Sequence, residues 1–223
     1  RTFKALLPVF ALSACVGLGG GADAPRQVQV TSDQVVITGP SGFCIDPSST
    51  RNTGDTGFVI LGNCAAISGS ARAPQPDVPA VLTAAVSARS DGTQLTDNIG
   101  ALDTFLRSTD GRALLSRSGD AESVEVLETR VVGGILFLHA RDTSSGALSG
   151  VATDYWRAYL DVGPRLATLS ILALDTHDVS VADALATLSA FATAVASANP
   201  NAADAPQGTT QAPQPPFTDG LLR

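Results

Sequence analysis

Residues 123–174 decide the fold: SVEVLETR (Ser123–Arg130), ILFLHARD (Ile135–Asp142), TDYWRAYL (Thr153–Leu160) and RLATLSILAL (Arg165–Leu174). Apolar and polar side chains follow a period of two in this stretch, as in strands that put one face on a core. Gly133-Gly134 separates the first two segments. Glycines accept the positive φ of a tight hairpin turn, so the pair marks a hairpin. Asp161-Val162-Gly163-Pro164 separates the last two segments and is turn-forming by composition. Two successive hairpins predict four antiparallel strands.

Upstream, Gln34–Thr38 (QVVIT) reads as a short strand, followed by the turn Gly39-Pro40-Ser41-Gly42. Phe43–Ile45 and Gly57–Gly62 (GFVILG) read as two more strands, joined by a polar loop over Asp46–Thr56. Ala80–Ala88 mixes β-branched residues with alanines and is assigned to a strand. Thr96 is a plausible N-cap with Asp97 in the first turn, and Ile99, Leu102, Phe105 and Leu106 share one helical face. Ser108-Thr109-Asp110 caps a second short helix carrying Ala113, Leu114 and Leu115. Ser180 caps a long helix in which Val181, Leu185, Leu188, Ala192 and Val195 recur at helical spacing. Helices segregated from an antiparallel sheet make an α+β domain, an antiparallel β-sheet with helices packed on it. This single domain is expected over residues 26–198. Asn199–Arg223 holds five prolines and little apolar mass, and is expected to be a disordered Pro-rich tail.

The N-terminal region gives an address. Arg1 and Lys4 precede the apolar run Ala5–Ala14, which closes on Leu12-Ser13-Ala14-Cys15. The run is half the length of a spanning helix, which needs about twenty residues. The tetrapeptide resembles the lipobox of bacterial lipoproteins. That resemblance implies a signal peptide over residues 1–14 and a diacylglycerol thioether on Cys15. Residues 15–25 are then the lipidated cysteine and a flexible, glycine-rich tether. One acyl chain anchors marginally and two anchor stably. The implied partner is a lipid bilayer, reached through an N-terminal acyl anchor in the bacterial cell envelope and facing the periplasm. In that family an aspartate after the cysteine favours the inner membrane; Val16 stands there and favours the outer one.

Removing residues 1–14 takes away Lys4, the only lysine, and leaves 12 Arg against 21 Asp and Glu, a formal charge of −9. A Walker A loop, a Schiff base and a Ser-Lys hydrolase all need a lysine and are excluded from the processed chain. The arginines are scattered, which argues against a nucleic-acid partner. With Cys15 lipidated, Cys44 and Cys64 remain, an even number in an oxidising compartment, and they read as one disulfide. Their spacing lacks the CxxC pattern of a redox or zinc site.

Catalytic signatures are scarce. His139 and His177 are the only imidazoles. His139 sits inside a strand, where a polar flank or a neighbouring hydrogen bond accounts for it. His177 lies in Leu174-Asp175-Thr176-His177-Asp178, whose side chains could ligate a cation or simply lead into a helix. Ser149 lacks GxSxG spacing, and Glu125 and Glu128 are explained by a solvated strand edge. No catalytic residue, metal site or cofactor is therefore assigned. Tyr155, Trp156 and Tyr159 cluster on one strand, with Trp156 on one face and the tyrosines on the other. Whichever is outward is a candidate partner contact.

Across residues 34–198 the pattern resembles the PsbP-like α/β/α sandwich. The marks are a short strand running into Pro40-Ser-Gly-Phe43, a mid-chain helix, two long hairpins with Tyr155-Trp156-Arg157, and a terminal helix. Members of that group mostly bind or assemble rather than catalyse. The resemblance implies a non-enzymatic binding or assembly module of the cell envelope, with an envelope protein as candidate partner. The alternative is a periplasmic hydrolase or metal-dependent enzyme using His139 or His177. Cys15→Ser is expected to move the protein out of the membrane fraction; a variant that stays membrane-bound in high salt refutes the anchor.

Overall fold

A computed structural model describes residues 24–92, 94–144 and 150–200. Its elements in chain order are β1 (Gln27–Val30), β2 (Val35–Thr38), β3 (Phe43–Ile45), β4 (Arg51–Asn52), β5 (Gly57–Asn63), α1 (Cys64–Ser68) and β6 (Ala80–Val86). They continue as α2 (Leu95–Arg107), α3 (Thr109–Leu115), a 3-10 turn at Ala121–Ser123, β7 (Val124–Val132), β8 (Ile135–Asp142), β9 (Val151–Asp161), β10 (Leu166–Leu174) and α4 (Val181–Ala198). Cys15 and the proposed leader and tether lie outside the described residues, apart from the tether's last two. So do Ser149 and the tail from residue 201.

Eight of the described strands form one antiparallel sheet in the order β3-β5-β6-β10-β9-β8-β7, with β4 beside β3 along β5. The architecture is α+β, as the two hairpins and the segregated helices predict. Both hairpins form, Ala80–Val86 is a strand, and Ser108 and Ser180 cap α3 and α4 with their hydroxyls. Three features escape the sequence pattern. The strand β1 (QVQV) pairs with β2 as a separate hairpin, β4 interrupts the polar loop, and α1 follows β5 without a break. The start of α2 is also capped differently. Asp161, at the end of β9, accepts from the backbone N–H groups of Leu95 (2.9 Å) and Thr96 (3.1 Å), so Thr96 is not the cap.

The layers follow from alternation. Val59, Leu61, Leu82, Ala84, Trp156, Ala158, Leu169 and Ile171 point to one side, where α4 and the β1–β2 hairpin cover them. There Leu188, Phe191, Ala192 and Val195 form the buried stripe of α4, while Val181, placed on that stripe by spacing, is exposed. Leu136, Leu138, Ala140, Tyr155 and Tyr159 point the other way, beneath α2 and α3, which pack on β7, β8 and β9. Gly57 is needed where the hairpin crosses β5, because a Cβ there would lie 2.6 Å from a Val30 methyl. Asn199 belongs to this body rather than to the tail. Its amide bonds both the N–H and the C=O of Val36, tying the end of α4 to β2. The Cys44–Cys64 disulfide is present and joins β3 to the start of α1.

Arg165 is 3% exposed at the start of β10 and clamps the opposite end of this layer. Its guanidinium holds the Asp33 carboxylate (Nε–Oδ1 2.9 Å, Nη2–Oδ1 2.8 Å), the Ser87 carbonyl and the Asp55 carbonyl. Asp33 lies in the β1–β2 turn between Thr31 (φ 65°) and Gln34 (φ 58°), two non-glycine residues in the left-handed region. The hydrogen bonds from Arg165 pull the Asp33 carboxyl down to about 2. A carboxyl with a depressed folded pKa stabilises above its unfolded value of about 3.9 and loses that contribution as the pH falls through the folded one. The loss is on the order of 2 kcal/mol between about pH 4 and pH 2. Urea unfolding is expected to show this acid-dependent loss in the wild type and to lack it in Asp33→Asn; parallel pH curves refute the clamp.

Candidate functional site: a cleft shared by both histidines

The site is built on the β8–β9 register. His139 stands directly opposite Trp156, and Arg141 opposite Asp154, so alternation puts all four on the α4 side of the sheet. The two rings stack face to face, with centroids 4.6 Å apart and planes at 5°. Trp156 is 1% exposed and carries the Arg130 guanidinium 5.7 Å from its ring centroid. Its Nε1 is buried with no hydrogen-bond partner among the described residues.

Beside the stack, Asp154 accepts two hydrogen bonds from Arg141, Nε–Oδ1 at 2.8 Å and Nη2–Oδ2 at 3.1 Å. The His139 Nε2 lies 3.7 Å from Asp154 Oδ2. The segment after β10 then folds over the sheet. The His177 N–H donates to the Leu174 carbonyl and the Asp175 N–H to the Gly150 carbonyl, which turns the chain toward α4. The result is a cleft of about 500 Å³ lined by His139, Asp154, Trp156, Asp175, His177 and Asp178. The two imidazoles, 38 positions apart in the chain, share one cavity.

Burial lowers the His139 pKa below its ordinary value, and the nearby charges of Asp154 and Glu128 oppose this only in part. The Arg141 hydrogen bonds lower Asp154. At neutral pH the floor is therefore a neutral imidazole beside an ionised Asp154–Arg141 pair. A neutral imidazole can accept or donate one hydrogen bond, or take a proton. Among the described residues no serine, threonine or cysteine hydrogen-bonds to His139. Thr176 Oγ1 lies 2.9 Å from His177 Nδ1 on an exposed loop, and Ser180 is engaged in capping α4. Asp175, His177 and Asp178 line the cleft, but no group of three acidic, histidine or cysteine side chains among the described residues is arranged to hold a metal.

The aromatic cluster requires a correction. Tyr155 (3% exposed), Trp156 (1%) and Tyr159 (6%) are all buried, and none offers an outward ring to a partner. The strand β9 is covered on both sides: Tyr155 donates its hydroxyl to the Leu115 carbonyl beneath α3 at 3.0 Å, and Tyr159 lies in the cluster under α2. Glu125 and Glu128 are edge residues of β7, paired with Arg141 and Arg130. The functional grouping that sequence missed is Arg141–Asp154. Its signal, opposite charges on adjacent strands, emerges only once the register across residues 143–150 is fixed.

No protein-family model, no curated protein and no solved structure matches the chain. In an NMR pH titration His139 is expected to titrate below about 6.5, the unperturbed value. Asp154→Asn, which removes a charge that raises it, is expected to lower the midpoint further. A midpoint above the unperturbed value contradicts the desolvated site.

Proposed function

We propose that this protein is a membrane-anchored periplasmic lipoprotein acting as a non-enzymatic binding or assembly module of the cell envelope. The observation that carries the binding assignment is the His139–Trp156 stack with its Asp154–Arg141 support. The imidazole is spent on covering an indole, and the nearest carboxylate is held by a guanidinium rather than dedicated to the histidine. Such a floor is preorganised for recognition. A small apolar body fits between Trp156, Ala173 and Ala184, with Asp154, Asp175 and Asp178 placed to meet a donor or a positive charge at its end. The lipobox resemblance and the −9 charge support a soluble domain held at a membrane surface and facing the periplasm. The likeness to PsbP-like proteins rests on the sequence marks alone and supports the same class of role.

A second reading has an observation of its own. Both histidines and three aspartates converge on one cleft, which is the arrangement an acid–base hydrolase would use. A panel of esterase, phosphatase, peptidase and glycosidase substrates separates the two. The binding module is expected to give no turnover above background. Turnover that vanishes in His139→Ala or His177→Ala, with the fold intact by circular dichroism, establishes the enzyme instead.

A further inference from the structure

The opposite face of the sheet carries a second feature, independent of the histidine cleft. The helices α2 and α3 pack on β7, β8 and β9. Toward β10, β6 and β5 no helix roofs this face, and Phe58, Ile60, Val81, Thr83, Ala85 and Leu172 keep solvent contact, while Ser170 lies buried between them and Arg157. The register gives its layout. One row runs Arg157–Ser170–Thr83–Ile60 across β9, β10, β6 and β5. Neighbouring strands are about 4.8 Å apart, so the row spans about 14 Å. On one flank Leu172 stands opposite Val81, and on the other Ala85 stands opposite Phe58, which is 39% exposed. The row is graded: guanidinium and two hydroxyls at one end, Ile60 and Phe58 at the other.

Arg157 is the unusual residue. It is half-buried in the centre of the sheet, between Tyr155 and Tyr159, with its guanidinium 5.0 Å from the Tyr155 ring centroid. It forms no ion pair with any described carboxylate, and its buried Nε has no hydrogen-bond partner. Burying a charge without a counter-charge is costly. On β4, β5, β6 and β10 this face carries no acid; the other charge on it is Arg51, opposite Phe58. In an acidic chain, a cationic platform with an apolar far end is complementary to an acidic amphiphile. A second copy of the chain would set arginine against arginine and is disfavoured by the same charges.

We propose that this bare half-face binds a fatty acid. Its carboxylate pairs with the Arg157 guanidinium and accepts from the Ser170 and Thr83 hydroxyls. Its alkyl chain crosses β6 to lie on Ile60 and Phe58. A planar guanidinium suits a carboxylate, which it can hold with two parallel hydrogen bonds, and the chain buries apolar surface that the fold leaves wet.

The test is calorimetric titration of laurate, below its micelle concentration, into the full chain carrying Cys15→Ser. Saturable one-to-one binding is expected. Arg157→Gln should weaken it by about tenfold or more, as loss of a charge-assisted hydrogen bond does. Ala85→Glu, at an exposed strand position that does not disturb the core, should abolish it. His139→Ala, on the other face, should leave it unchanged, which separates this site from the cleft. Butyrate and dodecyltrimethylammonium should not bind. The proposal is overturned if laurate does not bind at millimolar concentration, if Arg157→Gln binds as wild type, or if the cationic detergent binds as well as laurate. Equal affinity for butyrate overturns the alkyl-chain contact.

Discussion

Strand β9 lies between two covering layers, and its period of two determines what each side of the molecule can be. Trp156, Ala158 and Leu160 enter the core beneath α4 and the β1–β2 hairpin, while Tyr155 and Tyr159 enter the core beneath α2 and α3. A one-residue slip would exchange these sets. It would put Trp156 against α3 and remove the Leu115 carbonyl from the Tyr155 hydroxyl. It would also separate His139 from Trp156 and Arg141 from Asp154, because both pairs exist only through the present β8–β9 register. The cleft is thus a product of the same register that builds the two cores. Large aromatic side chains make that register costly to change, since each contributes roughly 1.5–3 kcal/mol by burial alone.

The β1–β2 hairpin is the least self-sufficient part of this arrangement. It pairs only with itself, and two-stranded hairpins are marginal in water. Its turn holds Thr31 and Gln34 at positive φ, a conformation that costs a non-glycine residue on the order of 1–2 kcal/mol. Tethers from outside the hairpin offset this, among them three from distant elements. Arg165 binds the turn through Asp33, Asn52 accepts the Thr31 N–H, and Asn199 bonds the Val36 backbone. Each of the three comes from a different part of the chain: β10, β4 and the end of α4. The hairpin therefore depends for its stability on contacts from the large sheet and from the end of α4.

Much of this was legible in the sequence, for a physical reason. Strands β7 to β10 are long, and their hairpin turns carry their own chemistry in Gly133-Gly134 and Gly163-Pro164. The helix starts at Ser108 and Ser180 likewise declare themselves by side-chain capping. What was hidden depended on tertiary partners. The segment QVQV lacks a hydrophobic run, because β1 is covered on one side only. The start of α2 shows no local cap because its cap, Asp161, is 66 residues away from Leu95. The aromatics on β9 looked like surface candidates because spacing cannot show that both faces of a strand are roofed. The convergence of His139 and His177 needed both the sheet and the turn after β10. Arg157 looked ordinary as well: its distinction is the lack of an ion-pair partner among the described residues, a property of the folded surroundings.

Trp156 and Arg157 are consecutive residues, yet they point to opposite sides of the sheet. Trp156 supplies the floor of an acidic cleft under α4, and Arg157 is the cation at the β9 end of the bare half-face. An antiparallel sheet tolerates one wet face when that face is polar. Here Thr83 and Thr168 satisfy the condition, whereas Phe58, Ile60 and a guanidinium with no ion-pair partner among the described residues do not. The α4 side follows the opposite rule, with its charges paired across strands and its rings stacked. A sheet that merely failed to grow a covering helix would show polar residues throughout its open half. One that keeps apolar side chains and an uncompensated charge there has a face suited to being covered by something with an apolar body and a negative end. Because the two surfaces share only the backbones of β9 and β10, with side chains alternating to opposite faces, side chains on one can be altered without repacking the other.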